Sequence, residues 1–162
     1  MDNGTLVVRV LVAAALGGIV GIERELKDQP AGFRTHMLVS MGACLFTLVG
    51  AFGFQAFTGG SDTHRIQADL TRVASQVVVG IGFLGGGTIL RHGANIRGLT
   101  TAASLWITAA IGLTVAMGFY FLATMTSIIA VFTLAALKPI ERLFLDRKVK
   151  LEDEPPGTMP PD

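Results

Sequence analysis

Charged side chains are scarce in this sequence. Asp, Glu, Lys and Arg make up 15% of its 162 residues, whereas hydrophobic residues make up 51% and the mean hydropathy is +0.58. An ordinary soluble domain has about 25% charged residues, and a chain this short keeps much of its surface exposed after folding. The composition therefore excludes an ordinary soluble domain, and we expect lipid to solvate the apolar side chains.

The chain also has only one cysteine, and its charges nearly cancel. Cys44 lies within an apolar run, so an internal disulfide and a cysteine-based metal site are both excluded. The formal net charge of +1 gives no field that would attract nucleic acid. No nucleophile–base pair or metal-ligand spacing is apparent, so we expect neither an enzyme nor a bound cofactor. The histidines, which we expect at a membrane interface, are His36, His64 and His92.

Five apolar runs are long enough to cross a bilayer, because a helix rises about 1.5 Å per residue and the hydrocarbon core is about 30 Å thick. The first is interrupted only by Arg9, whose side chain we expect to extend to the nearer interface. Asp2, with no Lys or Arg before the run, favours a retained helix over a cleaved signal peptide. We predict an all-α membrane protein, a bundle of five transmembrane helices within residues 1–137. The predicted spans are residues 5–22, 36–57, 73–90, 99–116 and 119–137.

The basic residues orient the predicted spans. A cytoplasmic C-terminus puts 10 of the 13 Lys and Arg residues on the cytoplasmic side, and only Arg9, Arg65 and Arg72 fall elsewhere. Because cytoplasmic loops are enriched in Lys and Arg, we predict an outer N-terminus and a cytoplasmic C-terminus. Lys138 and Pro139 end the fifth span, and residues 138–162 form a short cytoplasmic tail that is first amphipathic and then disordered.

A glycine cluster follows the apolar run Val77–Val79. Residues 80–85, GIGFLG, match the G-x-G-x-x-G pattern of a dinucleotide-binding loop. That motif requires a strand–turn–helix setting and an acidic residue about 20 positions later. Residues 100–108 contain no acid, and the sequence has no βαβ alternation. We therefore interpret these glycines as positions where helices pack closely in lipid.

Two pairs of glycines have the Gly-x-x-x-Gly spacing that lets membrane helices approach each other. Gly17 and Gly21 share a face of the first helix, and Gly82 and Gly86 share a face of the third. We expect these pairs to contact each other or to form a homodimer seam. The alternative is that the glycines at 85–87 loosen the helix and leave backbone groups to line a cavity. The predicted packing glycines are Gly17, Gly21, Gly80, Gly82, Gly85, Gly86 and Gly87.

Two sets of polar residues recur at positions i, i+3 and i+7, which share one face of a helix. Asp69, Arg72 and Gln76 mark the outer end of the third helix, where the Asp and the Arg can neutralise each other. The hydroxyl set of the fourth helix predicts contacts between helices, with a ligand path as the alternative. This set comprises Thr101, Ser104 and Thr108, and Gly112 continues the stripe.

The predicted cytoplasmic connections carry the most distinctive polar residues. Asn95 lies between Arg91 and Arg97, and we expect it to cap the fourth helix or to bind the charged residues that end the first. We predict one polar network on the cytoplasmic side that is needed for activity. Its members are Glu23, Arg24, Glu25, Arg34, His36, Arg91, Asn95 and Arg97.

Two long segments resemble the MgtC/SapB family of bacterial membrane proteins. They are GGIVGIERELKDQPAGFRTHMLVSMGACLF and RVASQVVVGIGFLGGGTILRHGANIRGLTTAASLW, and the similarity covers about residues 5–118. The resemblance implies a multi-span bundle in the bacterial inner membrane. It also implies a link to adaptation to low magnesium and, as in some members, to virulence and to the modulation of other membrane complexes.

The resemblance implies site residues as well. The family's glycine-rich motif falls on Gly80–Gly87, and its acidic and basic turn falls on Glu23–Glu25. Its A-G-[LF]-R-T-H element falls on Ala31–His36. Its polar loop falls on Arg91–Thr101, where Asn95 matches an Asn treated as functionally important. Longer members continue into a cytoplasmic soluble domain, which we expect this chain to lack.

Two functions fit these features. The first is a non-enzymatic membrane protein that modulates other membrane proteins or associates with itself, most simply as a dimer. The second is a transporter or channel for Mg²⁺ or another small solute, formed by an oligomer. Mg²⁺ usually needs carboxylates or several retained waters, whereas no Asp or Glu lies near the middle of a predicted span. We therefore favour the first function.

Overall fold

The described part of the protein is built almost entirely of helices. A computed structural model describes the backbone of residues 2–53 and 63–152, and the side chains of these residues except those of 63–71, 92 and 137–152. The helices are α1 (Asn3–Glu25), α2 (Phe33–Leu48), α3 (Thr63–Gly87), α4 (Leu99–Ala116) and α5 (Tyr120–Glu152). A π-helical turn (Val49–Gly53) extends α2, and the strands β1 (Leu90–His92) and β2 (Asn95–Arg97) form an antiparallel hairpin between α3 and α4.

This architecture confirms the predicted all-α membrane fold. Within the described residues, three helical segments are long and apolar enough to cross a membrane, namely Asn3–Glu25, Phe33–Phe52 and Leu99–Ala116. The other two predicted spans overlap α3 and the apolar start of α5, Tyr120–Ala136. The orientation of the termini stays a prediction.

The ends of two helices differ from the ends of the predicted spans, whose limits in a membrane stay a prediction. The third span was expected to reach residue 90, but α3 ends at Gly87 because the hairpin begins at Leu90. The fifth span was predicted to end at Lys138-Pro139, with an amphipathic piece after it, and the backbone of α5 continues as a helix to Glu152. The chain divides into two compact units, Met1–Val131 and Phe132–Asp162, and residues 153–162 of the predicted tail lie outside the described residues.

In the first unit, α2 packs between α1 and α4 through glycines on both neighbours. A Cβ atom placed on Gly17 would lie 2.5 Å from the Ser40 Cβ, and one on Gly21 would lie 2.7 Å from the Phe33 Cα. On α4, a Cβ atom on Gly112 would collide with the Ser40 carbonyl oxygen. The helices can approach this closely only because these positions lack side chains. The expected contact of Gly17 and Gly21 with Gly82 and Gly86 is therefore wrong, since the first pair contacts α2.

The glycines of α3 have a different environment. Gly85 packs at ordinary van der Waals distance against Ala102, with a Cβ position 3.5 Å from the Ala102 Cβ. Cβ atoms at the other predicted packing positions of this helix would meet no atom within 4 Å. The helix is regular up to Gly87, so the glycines do not loosen it before its end. A homodimer seam on this open face stays a prediction. The open positions are Gly80, Gly82, Gly86 and Gly87.

Arg9 joins the far end of α4 to α1. Its guanidinium Nη1 donates a hydrogen bond to the Ala116 carbonyl oxygen, at the last residue of α4. A cation at this position satisfies a carbonyl that the helix leaves without an internal donor, and it interacts favourably with the helix dipole. The expectation that Arg9 extends to the interface is therefore replaced by a contact within the protein. About two turns further along α1, Ser127 of α5 donates to the Leu16 carbonyl oxygen over 3.1 Å.

Candidate functional site at the charged end of the bundle

The last turn of α1 buries two charged residues. Glu23 and Arg24 are 9% and 4% exposed. Lys27 lies one turn after Glu23, and its Nζ is 2.5 Å from the Glu23 Oε1, while the Arg24 Nη1 is 3.8 Å from the Glu23 Oε2. Burying an ionised group costs several kcal/mol unless an opposite charge compensates, so Glu23 and Lys27 depend on each other. The charges expected on a solvated turn are inside the protein.

The chain after α1 folds back over Arg24. The Arg24 Nη2 donates to the Gln29 Oε1 over 2.8 Å, and the Gln29 Nε2 donates to the Lys27 carbonyl oxygen over 2.9 Å. The backbone turns at Asp28, whose φ of 51° lies in the left-handed region that Asp tolerates better than most residues. Sequence reasoning missed Gln29 and Lys27, because a connection rich in polar residues looks solvated.

Glu25 holds the start of α2. Its Oε2 accepts a hydrogen bond of 2.6 Å from the Phe33 backbone N–H. The residue at the N-cap of α2 is Gly32, which has no side chain to cap the first turn. The Glu25 carboxylate supplies that missing acceptor from the preceding helix, and its negative charge favours the N-terminus of α2. A side chain at Gly32 would collide with this carboxylate.

His36 connects α2 to α4 in the interior of the unit. It is fully buried, with Nδ1 2.9 Å from the Gly32 carbonyl oxygen and Nε2 3.1 Å from the Ser104 Oγ. The carbonyl only accepts, so Nδ1 carries a proton. In a neutral ring Nε2 then accepts from the Ser104 hydroxyl, whereas in a charged ring Nε2 donates to Ser104, which donates to the Thr101 carbonyl oxygen 2.8 Å away. His36, expected at a membrane interface, thus lies inside the protein near the start of α2, and its depth in the bilayer stays a prediction.

The hydroxyl stripe of α4 faces α2, as expected for contacts between helices. Thr101, Ser104 and Thr108 are each at most 2% exposed. Thr108 donates to the Ser104 carbonyl oxygen over 2.7 Å, which satisfies its hydroxyl within the helix. Ser40 of α2 is also fully buried, and its Oγ has no hydrogen-bond partner among the described residues. Sequence reasoning missed Ser40, although it lies one turn after His36 on the same face.

The predicted basic turn is a short hairpin that follows α3. Its cross-strand pairs are Leu90 with Arg97, Arg91 with Ile96, and His92 with Asn95. At its base Gly98 has a φ of 90°, and a Cβ atom there would collide with the Thr88 carbonyl oxygen. Only glycine permits this approach.

The hairpin changes the predicted role of Asn95. This residue lies in β2 and is exposed, and the N-cap of α4 is Gly98, so the expected cap by Asn95 is wrong. The Arg91 Nε donates to the Gly93 carbonyl oxygen within the hairpin over 3.0 Å. Arg97 is exposed as well.

Comparison with known proteins gives the chain a family. The model of the MgtC family matches residues 10–143. The chain belongs to the MgtC family. Together with the three apolar helical segments, this membership identifies a membrane protein.

Relatives of the MgtC family differ in how they are named. "Putative magnesium transporter YhiD" of Escherichia coli K12 is 36% identical over 146 residues, which are 90% of this chain and 66% of that protein. "Protein MgtC" of Brucella abortus is 39% identical over 128 residues, which are 79% of this chain and 49% of that protein. The chain thus spans about half to two thirds of the length of these relatives. No solved structure matches the chain.

Within this MgtC-family chain, the predicted network separates into two parts at one end of the first unit. Glu23, Arg24, Glu25 and His36 lie together, since Glu25 bonds the start of α2 and His36 follows one turn later. The hairpin lies at the same end of the unit. Its second strand ends two residues before α4 begins, and His36 contacts Ser104 in the second turn of α4. No side-chain hydrogen bond or ion pair joins the hairpin to α1 within the described residues. The remaining members, Arg34, Arg91, Asn95 and Arg97, are exposed.

The outer polar set occupies a separate place. Arg72 and Gln76 are exposed on α3, where they line an apolar cavity beside α2. The side chain of Asp69 lies outside the described residues, so its expected pairing with Arg72 stays a prediction.

Proposed function

We propose that this protein is a multi-pass protein of the bacterial inner membrane that supports growth at low magnesium by binding and modulating other membrane proteins, without catalysing a reaction. The magnesium link comes from the family and from the name of the Escherichia coli relative. The observation that carries the modulating role is the exposed hairpin, which Gly98 closes on the Thr88 backbone and which leads into the helix that the buried His36 bonds to α2.

The hairpin has the composition of a binding surface. Leu90 and Ile96 are 56% and 55% exposed, and each lies across the ladder from an exposed arginine. Arginine is enriched among the residues that dominate the binding energy of protein interfaces, and the buried core of such an interface is apolar. Asn95 adds an amide that can both donate and accept. A partner that offers apolar contacts and carboxylates would complement this surface.

The base of the hairpin keeps this surface in one conformation. Gly98, which follows β2, packs directly on the backbone of Thr88, which precedes β1, so the two ends of the hairpin are held together. His36 then fixes α4 to α2, and Glu25 fixes α2 to α1. A preorganised surface loses little conformational entropy on binding, which favours affinity. In this proposal the buried residues position the hairpin, and the hairpin contacts the partner.

Growth at limiting magnesium tests the proposal. A strain that lacks the protein is complemented with the wild-type chain, with Asn95→Ala or Arg97→Ala, and with Asp28→Asn as a control that changes an exposed charged residue outside the predicted network. At equal membrane levels, we expect the hairpin variants to lose complementation and a co-purifying membrane protein, and the control to retain both. Full activity of Asn95→Ala and Arg97→Ala would contradict the proposal.

A transporter is the second candidate, favoured by the buried hydroxyls on α2 and α4, among them Ser40, Thr47 and Thr108. Mg²⁺ flux into liposomes that contain only the purified chain separates the candidates. Robust flux would overturn the modulating role and support transport by an oligomer.

A further inference from the structure

A cavity separates α3 from α2 in the middle of the first unit. Helix α3 approaches the π-helical turn where a Cβ atom on Gly50 would lie 2.8 Å from the Val73 Cγ2, and it approaches α4 at Gly85 beside Ala102. Between these two contacts the helices diverge and leave an apolar cavity of about 640 Å³. This volume lies within the range of about 300–1,000 Å³ that small-molecule sites occupy.

Small residues keep this cavity open from both sides. Gly42 of α2 and Gly80 of α3 line it, and a Cβ atom on either would meet no atom within 4 Å. Ala43 and Ala109 line it as well, and both are buried in the core. The space therefore exists because side chains are missing on the facing helices, and larger residues would fill it without displacing the protein's own atoms.

One end of the cavity is polar and the rest is hydrocarbon. Arg72 is the only charged residue among its described lining residues, and Gln76 follows it one turn along α3. Further along the same helix the lining consists of Val77, Ile81 and Leu84. An occupant that matches this pattern has an anionic group at one end and an apolar chain behind it.

The length of the cavity favours a lipid over a helix. Arg72 and Leu84 are twelve residues apart on α3, which corresponds to about 18 Å along the helix axis. The hydrocarbon core of a bilayer is about 30 Å thick, so one leaflet contributes about 15 Å. A partner helix would contact the full thickness, whereas a lipid chain extends through one leaflet.

We propose that this cavity binds one acyl chain of a phospholipid with an anionic headgroup, and that Arg72 and Gln76 hold the headgroup phosphate. Arginine suits this role because its planar guanidinium donates two parallel hydrogen bonds to a phosphate. The amide of Gln76 donates a further bond one turn deeper. This site is independent of the proposed function, and neither depends on the other.

Native mass spectrometry of the full chain tests the site. The protein is purified after reconstitution in nanodiscs of mixed phosphatidylglycerol and phosphatidylcholine. We expect the wild type to retain phosphatidylglycerol. We expect Gly42→Leu and Gly80→Leu to retain about tenfold less, because the added side chain occupies the space of the acyl chain.

Two further variants separate a filled cavity from general damage. Gly82→Leu adds the same side chain to the same helix at an open position that does not line the cavity, and we expect wild-type retention. Arg72→Gln leaves the cavity intact, and we expect its preference for phosphatidylglycerol over phosphatidylcholine to fall about fivefold. Elution profiles and melting temperatures verify that each variant is folded.

Several outcomes would overturn the site. One is a wild-type protein that retains no lipid, and another is an equal loss of lipid in Gly82→Leu. If Gly42→Leu instead turns a dimer into a monomer and leaves lipid retention unchanged, a second copy of the chain occupies the cavity. If Gly42→Leu releases a different membrane protein and leaves lipid retention unchanged, that protein occupies the cavity.

Discussion

At the scale of single residues, the buried charges at the end of α1 are the groups whose loss we expect to reduce stability most. Glu23 lies between Lys27 and Arg24 at the end of α1, with its side chain only 10% exposed. Each of these ions compensates another, and neither Glu23 oxygen has a hydrogen-bond donor other than these ion partners in the described residues. Removing one of these charges leaves the others uncompensated, and an uncompensated buried charge strongly destabilises the folded protein.

We therefore predict that Glu23→Ala destabilises the detergent-solubilised protein by about 3 kcal/mol. The measurement is the thermal unfolding transition, followed by loss of the monodisperse elution peak. Asp28→Asn is the matched control, because it removes an exposed acid from the same turn and Asn tolerates the left-handed backbone there. A wild-type melting temperature for Glu23→Ala would show that the ion pairs contribute nothing.

The bond between His36 and Ser104 is a second residue-scale prediction. A double-mutant cycle of His36→Ala, Ser104→Ala and the double variant should give a coupling energy of about 1 kcal/mol, since the two side chains share one buried hydrogen bond. Thr114→Ala combined with His36→Ala is the control pair, because Thr114 bonds the Ala110 carbonyl oxygen of its own helix. Additive effects in the His36 and Ser104 cycle would refute the bond.

At the scale of helices, the two Gly-x-x-x-Gly pairs have opposite surroundings although their sequences look alike. Gly17 and Gly21 contact α2, whereas Gly82 and Gly86 face open space. The spacing predicts that both glycines of a pair lie on the same face of their helix, because residues four positions apart are about one turn apart. It does not predict the partner, because the choice of partner depends on the length of the connections and on the packing of the other helices.

We predict that Gly17→Ala destabilises the protein by about 1–3 kcal/mol, because the new methyl group meets Ser40 and the His36 carbonyl oxygen. Gly82→Ala should be neutral or stabilising by up to about 1 kcal/mol, because alanine favours the helix and has room there. Thermal unfolding of both variants provides the comparison. A larger loss for Gly82→Ala, together with loss of a dimer, would reveal a homodimer seam on α3.

The hairpin and the buried histidine mark the limits of prediction from the sequence. The apolar runs predicted the helices, and the predicted fourth span, residues 99–116, has the same bounds as α4. The two strands were not predicted, because each has only three residues, too few to show an alternation of apolar and polar side chains. His36 was expected at a membrane interface because the three histidines are scattered and show no metal-ligand spacing. Its burial depends on glycines of α1 that let α2 approach, which is a tertiary effect.

At the scale of the whole molecule, the distribution of basic residues predicts the orientation in the membrane. We expect single cysteines at Asn95, in a Cys44→Ser background, to react with a membrane-impermeant maleimide only from the cytoplasmic side. A cysteine at Gly4 should react only from the outer side, and it serves as the opposite control. Labelling of Asn95→Cys in intact spheroplasts would reverse the proposed orientation and place the hairpin outside.

The contact between Arg9 and Ala116 has a consequence for the order of synthesis. The two residues are 107 positions apart in the chain. At the usual rates of translation, about 5–20 s pass between the appearance of the arginine and that of its acceptor. During that interval the first helix has entered the membrane with a cation whose final partner does not yet exist. Helix α1 therefore reaches its final set of contacts only after α4 has been made.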